Sequence, residues 1–502
     1  MTVEPIRPDE PPELVIHSPL TGELVGTLPI ASESETTASV ARSRSAFAAW
    51  GGRSHRERRR ALRSYVGVVL KNMDRVADVI RSETGKDRGE ALAEVTAALT
   101  AMDFFTRRAG KLLAPARGRS WPFPTTKGWT EYHPRGVAAV ITPWNYPFYL
   151  TMLSTFQALA AGCTVVAKPS EVTPHSGALV ADLAREAGLD DDIVQVVHGR
   201  GSTGEALVRS DVDVIAFTGS TAVGKRIAVA AAQTLTPVIL ELGGKDALIV
   251  LEDAHVDRAA RAAVSWGVFN SGQTCVGVER VYVVSDVYDE FLAAAGTAIE
   301  RLNVATGDRG DIGPFISPSQ VEIVERHVSD AIERGATIAH GGARHDTEHG
   351  TYYQPTLVVD VDHSMELMRE ETFGPVVPVM RVADEHEALA LANDSRFGLH
   401  GSVWTKSRSR GARVASRMKT GTVAVNDHLI NFFFPSITLA GTGDSGLGGH
   451  LGPDGLKSFC VAKSITSART LPTTMLMGGW LPRRVGPRYW KLLAKALFGW
   501  RR

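Results

Sequence analysis

Val137-Ala138-Ala139-Val140-Ile141-Thr142-Pro143-Trp144-Asn145-Tyr146-Pro147 is a short aliphatic run that stops at a turn built from prolines and polar groups. The pattern recurs at Thr164–Ala167, Ile193–Val197, Val214–Phe217, Val238–Leu240 and Ala247–Val250, with helix-forming stretches between. Apolar runs of this length, bounded by turn residues and rich in Val and Ile, read as strands buried on both faces. Strands alternating with helices predict right-handed βαβ units and a parallel sheet. The expected ligand site of such a sheet is the crevice at the carboxyl ends of its strands.

The alternation resumes from about 256 to 426, with strand candidates Arg280–Val284, Pro375–Arg381 and Thr422–Asn426. Helix candidates there cover 287–302, 319–334 and 408–419, so a second α/β unit is expected. Upstream, Leu62, Tyr65, Val66, Val69, Leu70, Met73, Val76, Ala77 and Ile80 recur at helical spacing and predict one amphipathic helix over 55–82. Arg117–Glu131, rich in Trp, Pro and Thr, interrupts these helices and suits an outward-reaching hairpin.

Composition bounds the function. A chain of 502 residues is long enough for about three domains. Lys plus Arg and Asp plus Glu are both 55, which argues against a general nucleic-acid binder, since those carry a basic excess. Three cysteines, Cys163, Cys275 and Cys460, are too few and too odd in number for a disulfide framework, so a reducing compartment is expected. No Cys or His spacing suggests a metal site, and none is expected. Met1–Glu13 is acidic and proline-rich rather than a signal peptide, and no apolar run is long enough to span a bilayer.

Six segments carry candidate chemistry. Gly272-Gln273-Thr274-Cys275 places a cysteine in a polar, turn-forming context. A lone cysteine is more often a small buried hydrophobe, and the alternative is an accessible thiolate nucleophile. Glu241-Leu242-Gly243-Gly244-Lys245 puts a carboxylate at a strand end, either an ordinary terminal charge or a general base tuned by burial. Asn145 is a turn residue or an amide donor to an oxyanion. Lys168-Pro169-Ser170-Glu171 is a surface ion pair or a grip on ribose hydroxyls. Phe217-Thr218-Gly219-Ser220-Thr221-Ala222-Val223-Gly224 is neither GxGxxG nor a P-loop, yet its glycines at a strand-to-helix junction suit a pyrophosphate. Glu370-Glu371-Thr372-Phe373-Gly374-Pro375 pairs a carboxylate with an aromatic ring ahead of a strand.

In this order, and with Glu83-Thr84-Gly85-Lys86 upstream, the segments resemble the NAD(P)-dependent aldehyde dehydrogenase superfamily from about residue 12 to 466. The resemblance implies a Rossmann-type dinucleotide-binding domain (1–116 and 134–242) and an α/β catalytic domain (243–430). A small β bridging element (117–133 and 431–470) follows, with a basic aromatic tail (471–502). It implies that Cys275 is the nucleophile and Glu241 the general base, and that Asn145 forms the oxyanion hole with the Cys275 backbone N–H. Lys168 and Glu171 then hold the adenosine ribose, and Ser220 with Gly219 and Gly224 the pyrophosphate. Glu371 binds the nicotinamide ribose, and Phe373 and Trp144 lie beside the cofactor. A carboxylate at Glu171 favours NAD over NADP. Glu241 favours hydrolysis of the thioester, against the alternatives of CoA acylation and of a non-catalytic membrane-associated binding protein on the same fold.

Tyr146, Leu150, Leu153, Thr274, Val276, Phe432, Phe433 and Phe434 are the expected substrate tunnel. No Arg or Lys stands in these segments to receive a carboxylate, so a long-chain or aromatic aldehyde is expected. The chain after Asp454 has no Asp or Glu, and 478–502 mixes seven Lys or Arg with aromatic residues. Tyr489–Trp500 reads as an amphipathic helix too short to span a bilayer, suited to an anionic membrane surface or to a protein partner. The expected protein is cytoplasmic, at most peripheral to the cytoplasmic face of a membrane, and a homodimer or tetramer.

Overall fold

The computed structural model describes residues 12–120, 126–304, 311–468 and 486–499. Val137–Ile141 lies inside a six-stranded sheet. On one side it pairs in parallel with Thr164–Lys168, which pairs with Val194–Val196. On the other it pairs with Val214–Thr218, followed by Val238–Glu241. Chain order therefore reverses at Val137–Ile141, and the loops after Ile141 and Thr218 open on the same crevice. The Val137–Ile141, Thr164–Lys168 and Val214–Thr218 strands are buried at every residue, which is why they read as unbroken aliphatic runs.

The helix following the first turn, Pro147–Ala161, is buried along its whole length. It ends at Gly162, whose φ of 106° is left-handed and whose missing Cβ leaves room for the Arg58 guanidinium.

The second unit is a seven-stranded sheet in the order Thr337–His340, Thr356–Val359, Val376–Val382, Arg280–Val284, Ala247–Val250, Gly401–Trp404, Ala424–Val425. All its pairings are parallel except that of Thr337–His340. Cys460–Ala468 and Thr126–Pro134 form a third, antiparallel sheet, joined at its edge by Ala116–Arg117. Its strands are largely exposed or half-buried.

The structure departs from the expectations or adds to them in three places. The helix expected over 55–82 is two, His55–Lys71 and Met73–Thr84. Asn72 breaks it: its φ and ψ of −102° and 16° are not helical, and its side chain donates to the Val68 carbonyl. Periodicity continues across the break because both helices turn apolar faces to the same core. Second, 431–470 does not serve the bridging sheet alone. Gly446–Leu447 adds an antiparallel strand to the first sheet beside Glu241, at a glycine where a Cβ would sit 2.1 Å from the Leu240 carbonyl oxygen. Third, a hairpin of Glu13–His17 and Leu24–Pro29 precedes the helices, with no counterpart in the periodicity.

Of the tail, 469–485 and 500–502 lie outside the described residues, Trp500 among them; Gly486–Phe498 is a helix. Arg488, Trp490, Lys491, Leu492, Lys495 and Phe498 are exposed on it. Among the described residues no helix is long and apolar enough to cross a membrane.

Candidate active site

Glu241 closes the Val238–Glu241 strand and is buried. One carboxyl oxygen has no hydrogen-bond partner. Burial pushes its pKa well above the ordinary carboxylate range, offset only in part by the His450 backbone N–H. His450 is itself buried and neutral, its pKa lowered to about 4, with Nδ1 3.0 Å from Gln157 Oε1.

Cys275 lies beyond a loop in which Asn270, Ser271 and Gly272 all have left-handed backbones (φ 54°, 56° and 73°). A run of three such residues is strained for the two that carry side chains and needs anchoring. Gln273 supplies much of it: its Nε2 donates to the Asn270 carbonyl at 3.0 Å, and its Oε1 accepts from the Ile316 N–H at 3.0 Å. The Cys275 thiol is pushed up, by burial first and then by the Glu371, Glu241 and Asp246 carboxyls. A raised thiol pKa disfavours the thiolate, so nucleophilic attack by Cys275 calls for a base.

Asn145 follows the Val137–Ile141 strand and is buried. Its Nδ2 donates to the Gln273 carbonyl at 3.0 Å, leaving its second N–H hydrogen free, and its Oδ1 has no partner. Asn145 and the Cys275 loop are thus in direct contact across 128 residues of sequence.

The cofactor candidates line the strand ends. Lys168 Nζ lies 3.3 Å from Glu171 Oε2, with the lysine buried and the glutamate partly exposed. Ser220 caps the Thr221–Ala232 helix, its side chain accepting from the Val223 N–H. Gly219 donates to the Glu241 carbonyl at 3.0 Å, and Gly224 leaves room for Leu242, which a Cβ would meet at 2.4 Å. From the second unit, Glu371 accepts the Gly244 N–H at 3.0 Å, and burial raises its pKa to about 7. Phe373, at φ 54°, meets the Trp144 ring edge-on at 5.6 Å. Two carboxylates, Glu171 and Glu371, and a capped helix N-terminus after Val214–Thr218 have the chemistry that a dinucleotide's ribose diols and pyrophosphate need.

Tyr146, Thr274, Val276, Phe432 and Phe433 line one narrow apolar pocket. Tyr146 Oη is 2.7 Å from Thr274 Oγ1, and Cys275 packs on the Val276–Leu429 cluster that Phe432 and Phe433 also touch. Leu150 and Leu153 do not line this pocket: they lie buried in the core of the first unit. Phe434 does not line it either and is 53% exposed. Among the residues lining it that sequence reasoning missed are Tyr149, Phe269, Glu90 and Glu94. The two glutamates had one legible sign, a carboxylate pair four residues apart on an otherwise alanine-rich helix face.

A parallel-sheet dinucleotide fold facing a second α/β unit with a cysteine loop between them is that of an NAD(P)-linked oxidoreductase. The model of the aldehyde dehydrogenase family matches residues 6–465. A 4,4'-diapolycopene aldehyde oxidase of Methylomonas sp is 39% identical over 91% of this chain and 86% of its own. A putative succinate-semialdehyde dehydrogenase [NADP(+)] 2 of Mycobacterium ulcerans is 35% identical over 96% of this chain and 93% of its own. Among solved structures, a Mycobacterium tuberculosis aldehyde dehydrogenase complexed with NAD+ superposes with a TM-score of 0.86 at 34% identity, covering 91% of this chain and 95% of that one. A Sinorhizobium meliloti NAD-dependent aldehyde dehydrogenase reaches 0.88 at 32% identity, covering 94% and 93%. The chain belongs to the aldehyde dehydrogenase family.

Proposed function

We propose that the protein oxidises an apolar aldehyde to its carboxylic acid with NAD, through a thioester on Cys275. The observation that carries this reading is the meeting of Asn145 with the Cys275 loop beside Glu241 and Glu371. Cys275 loses its proton to a neighbouring base and its sulfur attacks the carbonyl carbon. The oxygen gains negative charge, and the free Asn145 Nδ2–H and the Cys275 backbone N–H hold it in place. Lys168, Glu171, Ser220 and Glu371 hold the dinucleotide, with Gly219, Gly224, Trp144 and Phe373 shaping its bed. NAD held there would supply a hydride acceptor, the two-electron oxidant that conversion of the Cys275-bound aldehyde to a thioester requires. Glu241, with its raised pKa, takes a proton from water, which attacks the thioester and frees the acid from Cys275.

Glu171 supports NAD, because a carboxylate accepts ribose hydroxyls and repels a 2′-phosphate. The apolar substrate rests on the pocket. Among the described residues its lining includes no Arg or Lys. The Methylomonas relative is named for an aldehyde of this apolar kind, whereas the Mycobacterium ulcerans relative is named for succinate semialdehyde. The outer edge of Cys460–Ala468 has no strand neighbour among the described residues and supports a homodimer or dimer of dimers. The Gly486–Phe498 helix, basic and aromatic, supports contact with an anionic membrane surface at the cytoplasmic face.

The deciding experiment is NADH formation across short and long linear aldehydes and succinic semialdehyde, compared by kcat/KM. A rise with chain length supports the reading. A preference for succinic semialdehyde removes the apolar substrate, and turnover only with CoA present removes hydrolysis.

A further inference from the structure

Both halves of the oxyanion hole are held by one helix. The Arg88–Leu112 helix carries Glu90 and Glu94 one turn apart, so both side chains leave the same face. Glu90 Oε1 accepts the Asn270 N–H at 2.9 Å, at the start of the left-handed loop that leads to Cys275. Glu94 Oε1 accepts the Phe148 and Tyr149 N–H groups at 2.9 and 3.1 Å, at the first turn of the helix that follows Asn145. Its Oε2 accepts from Lys86 Nζ at 2.9 Å, and that ion pair is almost wholly buried. Lys86 Nζ also donates to the Asn145 carbonyl at 2.8 Å and lies 4.5 Å from the centre of the Tyr146 ring. The same carbonyl accepts from Asn270 Nδ2 at 3.1 Å, which completes the circuit between the two loops.

We propose that Lys86, Glu90 and Glu94 are positioning residues that set the Asn145 amide and the Cys275 backbone N–H at one oxygen. The proposal rests on the oxyanion-hole reading above. None of the three touches the reacting atoms. They act through the backbone on either side, where a displacement of about 1 Å costs about 10²-fold in rate. The Lys86 ammonium is thereby engaged by both Glu94 and the Asn145 carbonyl.

The test is a thermodynamic cycle on kcat. Removing one member of a buried ion pair risks the fold, so Lys86→Met and Glu94→Gln are made together, which removes both charges. Glu90→Ala and Glu90→Gln form a second, independent arm. The Lys86→Met/Glu94→Gln variant is expected to lose about 10²-fold in kcat with NAD affinity unchanged. Placed in an Asn145→Ala background it is expected to cost little more, because the donor it positions is gone. Glu90→Ala is expected to lose activity that Glu90→Gln, which keeps the acceptor oxygen, largely retains. If the loss in the Asn145→Ala background is as large as in the parent, or Glu90→Gln is as impaired as Glu90→Ala, the positioning role is wrong. If Asn145→Ala alone leaves kcat intact, the oxyanion-hole reading fails instead.

Discussion

The two ends of the crevice are built differently. At the proposed cofactor end, Lys168 and Glu171 come from a single strand end, three residues apart, and Ser220 caps a helix directly after its strand. At the proposed reaction end, Asn145 meets Gln273 across 128 residues, and Glu90 reaches Asn270 across 180. The first end is partly open, while the second is buried, bears unpaired polar atoms on Asn145 and Glu241, and runs through three consecutive left-handed residues. A flexible, soluble cofactor can be caught by local motifs. Chemistry on one carbonyl needs groups from distant segments held rigidly, and that takes burial and strain.

The contrast breaks most sharply at Cys275. Cys275→Ala is expected to lose at least about 10³-fold in NADH formation while NAD still quenches tryptophan fluorescence. Equal loss of both would make the two ends one cooperative unit. Next comes Glu241→Gln, expected to cost about 10²-fold or more in turnover and to let an acyl adduct build up on Cys275, read by intact mass. Because burial raises the Glu241 pKa, its basic form is scarce at low pH and grows as pH rises, so thioester hydrolysis should climb with pH in the parent. That limb should vanish in Glu241→Gln.

At the cofactor end Glu171→Gln is expected to raise KM for NAD about tenfold and lower it for NADP, with kcat for saturated enzyme nearly unchanged. A fall in kcat instead would mean that the two ends are coupled. Phe432→Ala is expected to cut the kcat/KM advantage of long over short aldehydes by about tenfold. The smallest catalytic effect belongs to deletion of 486–502: NADH formation from soluble aldehydes should stay within about twofold, since among the described residues none from this helix lines the pocket. Cosedimentation with anionic vesicles should be lost, and if the full chain never cosediments, the helix has a protein partner.

Legibility in the sequence follows the same division. The parallel sheet was readable because its strands are buried on both faces and end in turn residues. The Lys168–Glu171 pair and the capped helix were readable as local motifs because each lies within a few residues of one strand end. The spacing of Glu90 and Glu94 on an alanine-rich face was legible, but not their role, because two glutamates on a helix read as a solvated face until Asn270 and Phe148 are brought against them. Leu150 and Leu153 were placed in the tunnel by nearness in sequence to Asn145, but their helix is buried on every side, so nearness does not decide which face meets the pocket. The break at Asn72 was hidden because the apolar pattern continues through it.

What the sequence by itself determined is the alternation of strand and helix, the crevice at the strand ends, and the residue types that stand there. Those depend on local backbone preference and on burial patterns with periods of a few residues. Only the tertiary structure decided which carboxylates meet which loops, which aromatic rings pack on the same apolar cluster as Cys275, and that Lys86 is already engaged by Glu94 and Asn145. Contacts across more than a hundred residues are set by how whole elements pack, and no short-range pattern encodes that.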